Sequence, residues 1–270
     1  MRLALLEMRR AKLRFGLLAG AVSLLIFLVL FLSTLSGALI ESFTGAIKNL
    51  DANVLVYSDT ARDNIQGSRL NPTVVAQVAT VPGVAAAGGI ATTTTSAVLP
   101  DGFTPGQPGA PSGLTDGRLP SAANETAVDA PGATIGSTMT LLPSNIELQV
   151  VGILTGAQFN AAPTAYVDLP SYQAAIKATN PNAPFIPLNA VAVATDAGSD
   201  PATVAQTITD TVPGTTGYTV STAVSKIPGV ASVSQTFGIL VGLTFIISIV
   251  VIGFFFLILT VQKLRVFTLL

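Results

Sequence analysis

The stretch FGLLAGAVSLLIFLVLFLSTLSGALI, residues 15–40, carries no charged side chain. A second stretch, IPGVASVSQTFGILVGLTFIISIVVIGFFFLILTVQ, residues 227–262, carries none either. The hydrocarbon core of a bilayer is about 30 Å thick and takes roughly 20 apolar residues of helix to cross. Both stretches exceed that length, so the chain reads as two membrane spans around a polar middle. The expected fold class is therefore membrane α-helical plus an extracellular α+β domain.

Charge sets the orientation. Residues 1–14 hold Arg2, Arg9, Arg10, Lys12 and Arg14 against Glu7, a net +4. Lys263 and Arg265 add +2 after the second span, whereas residues 41–226 hold 6 basic and 13 acidic side chains, a net −7. The positive-inside rule puts both flanks in the cytoplasm, with Arg9, Arg10, Lys12, Arg14, Lys263 and Arg265 as anchors at the membrane face. The middle is then expected to lie outside. Its acidic balance argues against nucleic acid or anionic lipid as its main partner, while the two spans take membrane lipid as theirs. The apolar run is far longer than that of a cleaved signal peptide, and no small-residue cleavage site follows it, so the first span reads as retained.

The chain has 270 residues, 10% of them charged, and no Cys, His or Trp; its mean hydropathy is +0.65. The missing residue types exclude Cys/His zinc sites, thiol catalysis and His-dependent triads within these residues. No P-loop motif occurs. The chain is expected not to be an enzyme and to carry no intrinsic cofactor.

The residues divide as follows: 1–14, a basic amphipathic cytoplasmic helix; 15–50, the first span and an external stalk; 51–226, the ectodomain; 227–262, the second span; 263–270, a cytoplasmic exit. Within the ectodomain, NVLVY (53–57), residues 91–99, 126–128, 138–142, 148–153, 165–167, AVAVA (190–194) and GYTV (217–220) read as strands. NPTVVAQVATVPGV (71–84) reads as a helix capped by Asn71, and PATVAQTITDTV (201–212) as one capped by Asp200. Residues 100–117, with four Pro and five Gly, read as a loop.

Two patterns mark the spans. Gly16 with Gly20, and Gly238 with Gly242, form GxxxG motifs that allow close helix packing, although Gly is common in membrane helices in any case. Ser33, Gly37, Glu41, Thr44 and Lys48 share one face of the first helix as it leaves the membrane. Glu41 is the first charge after the apolar run. It is either a solvated carboxylate marking the interface or an acid facing a pore or ligand.

Several segments carry a resemblance. LALLEMRRAKLRFGLL (3–18), ATVPGV (79–84), DGRLPSAANETAVD (116–129), ATIGSTMTLL (133–142) with ELQVVGI (147–153), TAYVDLPSYQ (164–173) and FFFLILTVQKLRVFTLL (254–270) resemble, in order, FtsX/MacB-type ABC-transporter permeases. Within that family FLVLFLSTLSGALIE (27–41), TGAIKNLDANVLVYSD (44–59) and TVQKLRVFTLL (260–270) look most like haem-exporter permeases of Gram-positive bacteria. The resemblance implies a homodimer driven by a cytoplasmic ABC ATPase subunit. It also implies four spans, so these residues are expected to be a front half, completed by further chain or by a partner. For the haem subgroup it implies haem as a transported ligand and Glu41 as a haem contact. A pair of Glu41 carboxylates in a dimer could serve as iron ligands. Ser33, Gly37, Leu39 and Phe43, with Leu32 and Leu35, would line the same membrane-edge site. Two further readings stay open: a mechanotransmitting FtsX-like permease that regulates an extracytoplasmic partner, and a two-span sensor receptor.

Overall fold

The computed structural model describes residues 12–93 and 99–267. The amphipathic segment and the anchors Arg9 and Arg10 lie outside them. The chain forms two compact units, Met1–Ala38 with Ser232–Leu270, and Leu39–Ala231.

In chain order the elements are α1 (Lys12–Lys48), β1 (Val54–Ser58), α2 (Val74–Ala79), β2 (Val84–Thr92), β3 (Leu99–Phe103), β4 (Leu114–Gly117), β5 (Glu125–Asp129), β6 (Thr138–Leu141), β7 (Ile146–Leu154), β8 (Thr164–Asp168), α3 (Leu169–Thr179), β9 (Ala190–Thr195), α4 (Pro201–Thr211), β10 (Thr215–Thr219), α5 (Val220–Ser225) and α6 (Val230–Phe267). Two short 3₁₀ turns, Asp59–Ala61 and Ile65–Gly67, follow β1.

In the first unit, α1 and α6 contain the two runs long and apolar enough to cross a membrane, Ala19–Lys48 and Val230–Ile258. Their large apolar side chains face outward: Leu24 is 66% and Phe254 62% exposed. Such continuous apolar exposure is not tolerated in water and fits a lipid surround. α6 continues through Lys263 and Arg265 to Phe267.

The second unit is a mixed ten-stranded sheet in the order β10-β1-β9-β2-β3-β8-β5-β7-β4, with β6 paired to β7. Neighbours are antiparallel except β3 with β8 and β5 with β7. Alternating side chains build two cores. Val54, Val56, Val191 and Val193 pack against Val78 of α2 and Val204 and Ile208 of α4. Leu55, Tyr57, Ala190 and Ala192 point the other way, into a cluster that includes Ala46 and Ile47 of α1. Every residue of β1 is therefore buried, as period-2 strands covered on both faces must be.

The architecture matches the expected α+β ectodomain, with local corrections. α2 begins at Val74, not at Asn71; the Asn71 side chain accepts from the Thr73 N–H at 3.0 Å and forms a turn ahead of the helix. The strand expected at 91–99 begins earlier, at Val84, and residues 94–98 lie outside the described set. The Pro/Gly-rich loop expected at 100–117 is loop over 104–113 but strand at both ends, because β3 pairs with β8 and β4 with β7. Gly102 is required there: a Cβ on it would lie 2.7 Å from the Tyr172 Cβ of α3. The sequence reading did not place α3 or α5. The Asp200 cap holds, with its carboxylate accepting from the Thr203 N–H at 3.0 Å.

Candidate functional site

The last turns of α1 belong to the sheet unit, and two loops are laid along them. The Ala46 N–H donates to the Gln158 carbonyl at 2.8 Å, and the Ser42 carbonyl accepts from the Ala161 N–H at 2.8 Å. Residues 42 and 46 are four apart, so these are the two groups an undisturbed helix would pair with each other. The Phe43 carbonyl accepts from the Asn160 N–H at 3.2 Å. The loop 156–161 thus hydrogen-bonds directly to the helix backbone. Gly45 allows this approach, since a Cβ there would overlap the Gly156 carbonyl.

A second loop closes the helix end. The Asn49 carbonyl accepts from the Ser112 N–H at 2.7 Å, and Asp51 exchanges backbone bonds with Gly109 and Ala110. Beneath lie Thr44, 1% exposed, and Ile47, 2% exposed. The Thr44 hydroxyl donates to the Ile40 carbonyl at 2.8 Å. The helix end is therefore built into the domain core and is not the free stalk expected from its length.

Glu41 sits at the rim of this junction. Its carboxylate takes the Lys48 ammonium at 2.7 Å and the Asn49 side-chain amide at 3.3 Å. Asn49 also donates to the Gly156 carbonyl, linking the carboxylate to the loop. The glutamate side chain remains 38% exposed. Ser33 and Gly37 are exposed and Leu39 is half-buried, whereas Phe43 packs against the domain core. The predicted polar face is thus not uniform: Thr44 turns inward while Glu41 and Lys48 stay at the surface. Asn49, Gly45 and Gly156 were not foreseen, because their roles depend on partners more than a hundred residues away.

The four motif glycines, Gly16, Gly20, Gly238 and Gly242, have nothing within 4 Å of a hypothetical Cβ. No packing role for them is visible within the described residues of this chain. The side chains of Lys12, Arg14, Lys263 and Arg265 are outside the described set.

Behind Ile47 and Leu50 lies a cavity of about 20 Å³, lined also by Thr92, Asp101, Phe103 and Tyr166. That is room for about one water molecule. One Asp101 carboxylate oxygen and the Thr92 hydroxyl are buried there without a partner. Burial pushes the Asp101 carboxyl up to about 7. Among the described residues no group of three or more acidic side chains could hold a metal ion.

Residues 15–211, from α1 to the end of α4, match the family of the MacB-like periplasmic core domain. The chain belongs to that family. The match starts inside the apolar run of α1, so in this MacB-like chain membrane-length helices flank a periplasmic-type core. Among solved structures it is similar to the extracellular domain of the noncanonic ABC-type transporter YknZ from Gram-positive bacteria. That likeness has 12% identity and a TM-score of 0.42, and covers 62% of this chain and 100% of that one. It is also similar to the periplasmic region of MacB from Actinobacillus actinomycetemcomitans, with 10% identity and a TM-score of 0.47, covering 68% of this chain and 96% of that one. No curated protein matches the chain.

Proposed function

We propose that this MacB-like chain is a permease subunit of an ABC-type exporter. It works as a homodimer, is driven by a separate cytoplasmic ATPase subunit, and exports haem or another hydrophobic compound. The observation that carries the reading is the family match across residues 15–211, which takes in both a membrane-length helix and the domain that follows it. The charge asymmetry supports an outward sheet domain between cytoplasmic flanks.

For haem, the candidate contact is Glu41, half-exposed where the apolar run of α1 ends. Carboxylate oxygen is a hard ligand suited to ferric iron. Lys48, 2.7 Å away, offers a cation for a haem propionate once Glu41 turns to the iron. Ser33 and Gly37 share the face of Glu41 and are exposed, while Leu39 and Phe43 lie on a neighbouring face and are partly buried. In a visible-spectrum haem titration of the full chain in detergent, the wild type should saturate. Glu41→Ala should bind at least tenfold more weakly with an unchanged melting temperature, because an exposed ion pair adds little stability. Overlapping curves would exclude Glu41 as a haem contact.

A mechanotransmitting permease is the second reading. It is favoured by the backbone bonds that tie α1 into the domain, since any displacement of this helix end must carry the loops 109–112 and 156–161 with it. ATP-dependent movement of the sheet domain without movement of any apolar cargo across vesicles would select this reading over export.

A further inference from the structure

On the same side of the sheet, between the 3₁₀ turns and the end of α5, lies a cleft of about 180 Å³. Its polar lining is Tyr57, Asp63, Asn64, Gln66 and Asn160, and Phe159 and Pro228 form apolar walls. Tyr57 is 1% exposed and its hydroxyl is buried without a hydrogen-bond partner. A buried hydroxyl left unpaired costs stability, so its position at a cleft calls for a ligand atom. The side-chain amides of Gln66 and Asn160 make no hydrogen bond among the described residues, and Asn64 uses only its oxygen, accepting from the Gln66 N–H at 3.0 Å.

The backbone around the cleft is held in a conformation that side chains seldom adopt. Arg62 and Asp63 have φ of 51° and 64°, and Asn160 and Ala161 have φ of 53° and 55°. Ala161 has no side-chain hydrogen bond to compensate, so the fold enforces it. The charge at the rim is already satisfied. Asp63 takes the Lys226 ammonium at 2.7 Å and the Tyr218 hydroxyl, and Lys226 lies 5.1 Å from the centre of the Tyr218 ring. Neither an anion nor a cation finds an unpaired counter-charge here. The cleft presents free amide groups, an orphan hydroxyl and flat apolar walls.

We propose that this cleft binds a small neutral polyol of monosaccharide size. Vicinal hydroxyls, each both donor and acceptor, match the paired N–H and C=O groups of the amides and the ambivalent Tyr57 hydroxyl. The C–H face of such a molecule fits the Phe159 and Pro228 wall. Because Ile47 of α1 and Ile227 beside α6 also line the cleft, an occupant touches both ends of the chain that lead into the domain.

Ligand-observed saturation-transfer NMR on the full chain in detergent tests this with glucose, N-acetylglucosamine and myo-inositol, alongside methyl phosphate and choline, whose methyl protons report an anion and a cation. At least one neutral polyol should give saturable, competable transfer, and methyl phosphate and choline none. Gln66→Ala, at a partly exposed position, should weaken binding about tenfold while the melting temperature holds. Tyr57→Phe should weaken it similarly and leave the protein as stable or more so, since it removes an unpaired buried oxygen. Saturation by methyl phosphate or choline alone, saturation by nothing in the panel, or wild-type binding in both variants would overturn the proposal.

Discussion

The two places where the chain crosses between its helices and its sheet are built differently. Inbound, α1 runs without interruption to Lys48, and its final turns are bonded through their own backbone to the loops 109–112 and 156–161. Outbound, the chain breaks. α5 ends at Ser225, Pro228 and Gly229 follow, and α6 begins at Val230. Gly229 takes a φ of 90°, and the main polar tie is the ion pair of Lys226 with Asp63 at 2.7 Å. Backbone bonds along a helix cannot shift one at a time, whereas a turn and a surface ion pair can. The inbound end is thus fixed by backbone bonds, and the outbound end by a turn, an ion pair and the buried side chains of Ile227 and Val230.

The difference can be broken most severely at Gly45. Gly45→Val forces the Gly156 carbonyl away and should cost about 3 kcal/mol or more, by analogy with overpacked cores. Thermal unfolding of the full chain measures it, and an unchanged midpoint would mean the inbound end is no tighter than the outbound one.

The next largest effect lies behind the same helix end, at Asp101. Its carboxyl is raised from 3.8 to about 7 by burial, so the folded state holds a proton that the unfolded state releases. Its contribution is complete below about pH 4 and is lost as pH rises toward 7 and beyond. Asp101→Asn should remove that slope and leave the variant more stable than wild type at pH 8, by on the order of 2 kcal/mol once water entry into the cavity is allowed for. Glu125 works with the opposite sign: held down to about 2, first by Arg118 and then by the Ser121 amide, it loses its contribution only as pH falls below 4.5. The difference between wild type and Asp101→Asn isolates the Asp101 term. Parallel stability curves across pH 4–8 would show that Asp101 stays ionised.

The smallest effect is outbound. Gly229→Ala keeps the turn but places a Cβ in the left-handed region, at a cost of about 1 kcal/mol. No atom lies within 4 Å of that Cβ, so strain is its only cost. A loss as large as that at Gly45, read in the same melt, would erase the contrast.

Much of this contrast was hidden in the sequence. The uncharged runs, the strand-like runs NVLVY (53–57) and AVAVA (190–194), and the Asp200 cap are local signals, and the structure keeps them. Residues 100–103 and 114–117 misled because Pro and Gly usually punctuate strands. Here Gly102 serves close packing against Tyr172, a contact between distant residues. α3 was overlooked although Pro170 stands at its first turn, a position that favours helix initiation. Glu41 was visible as the first charge after the apolar run. Its ties to Lys48, Asn49 and Gly156 were not, since a loop from residue 156 has to fold back onto the helix before they exist.

The proposed topology places the sheet domain outside the membrane, between cytoplasmic flanks. The chain has no cysteine, so single introduced thiols report their side directly. In intact cells a membrane-impermeant maleimide should label Asn182→Cys, at an exposed site of the sheet unit. Ala4→Cys should react only after permeabilisation. Labelling of Ala4→Cys in intact cells, or protection of Asn182→Cys until the membrane is opened, would contradict the account.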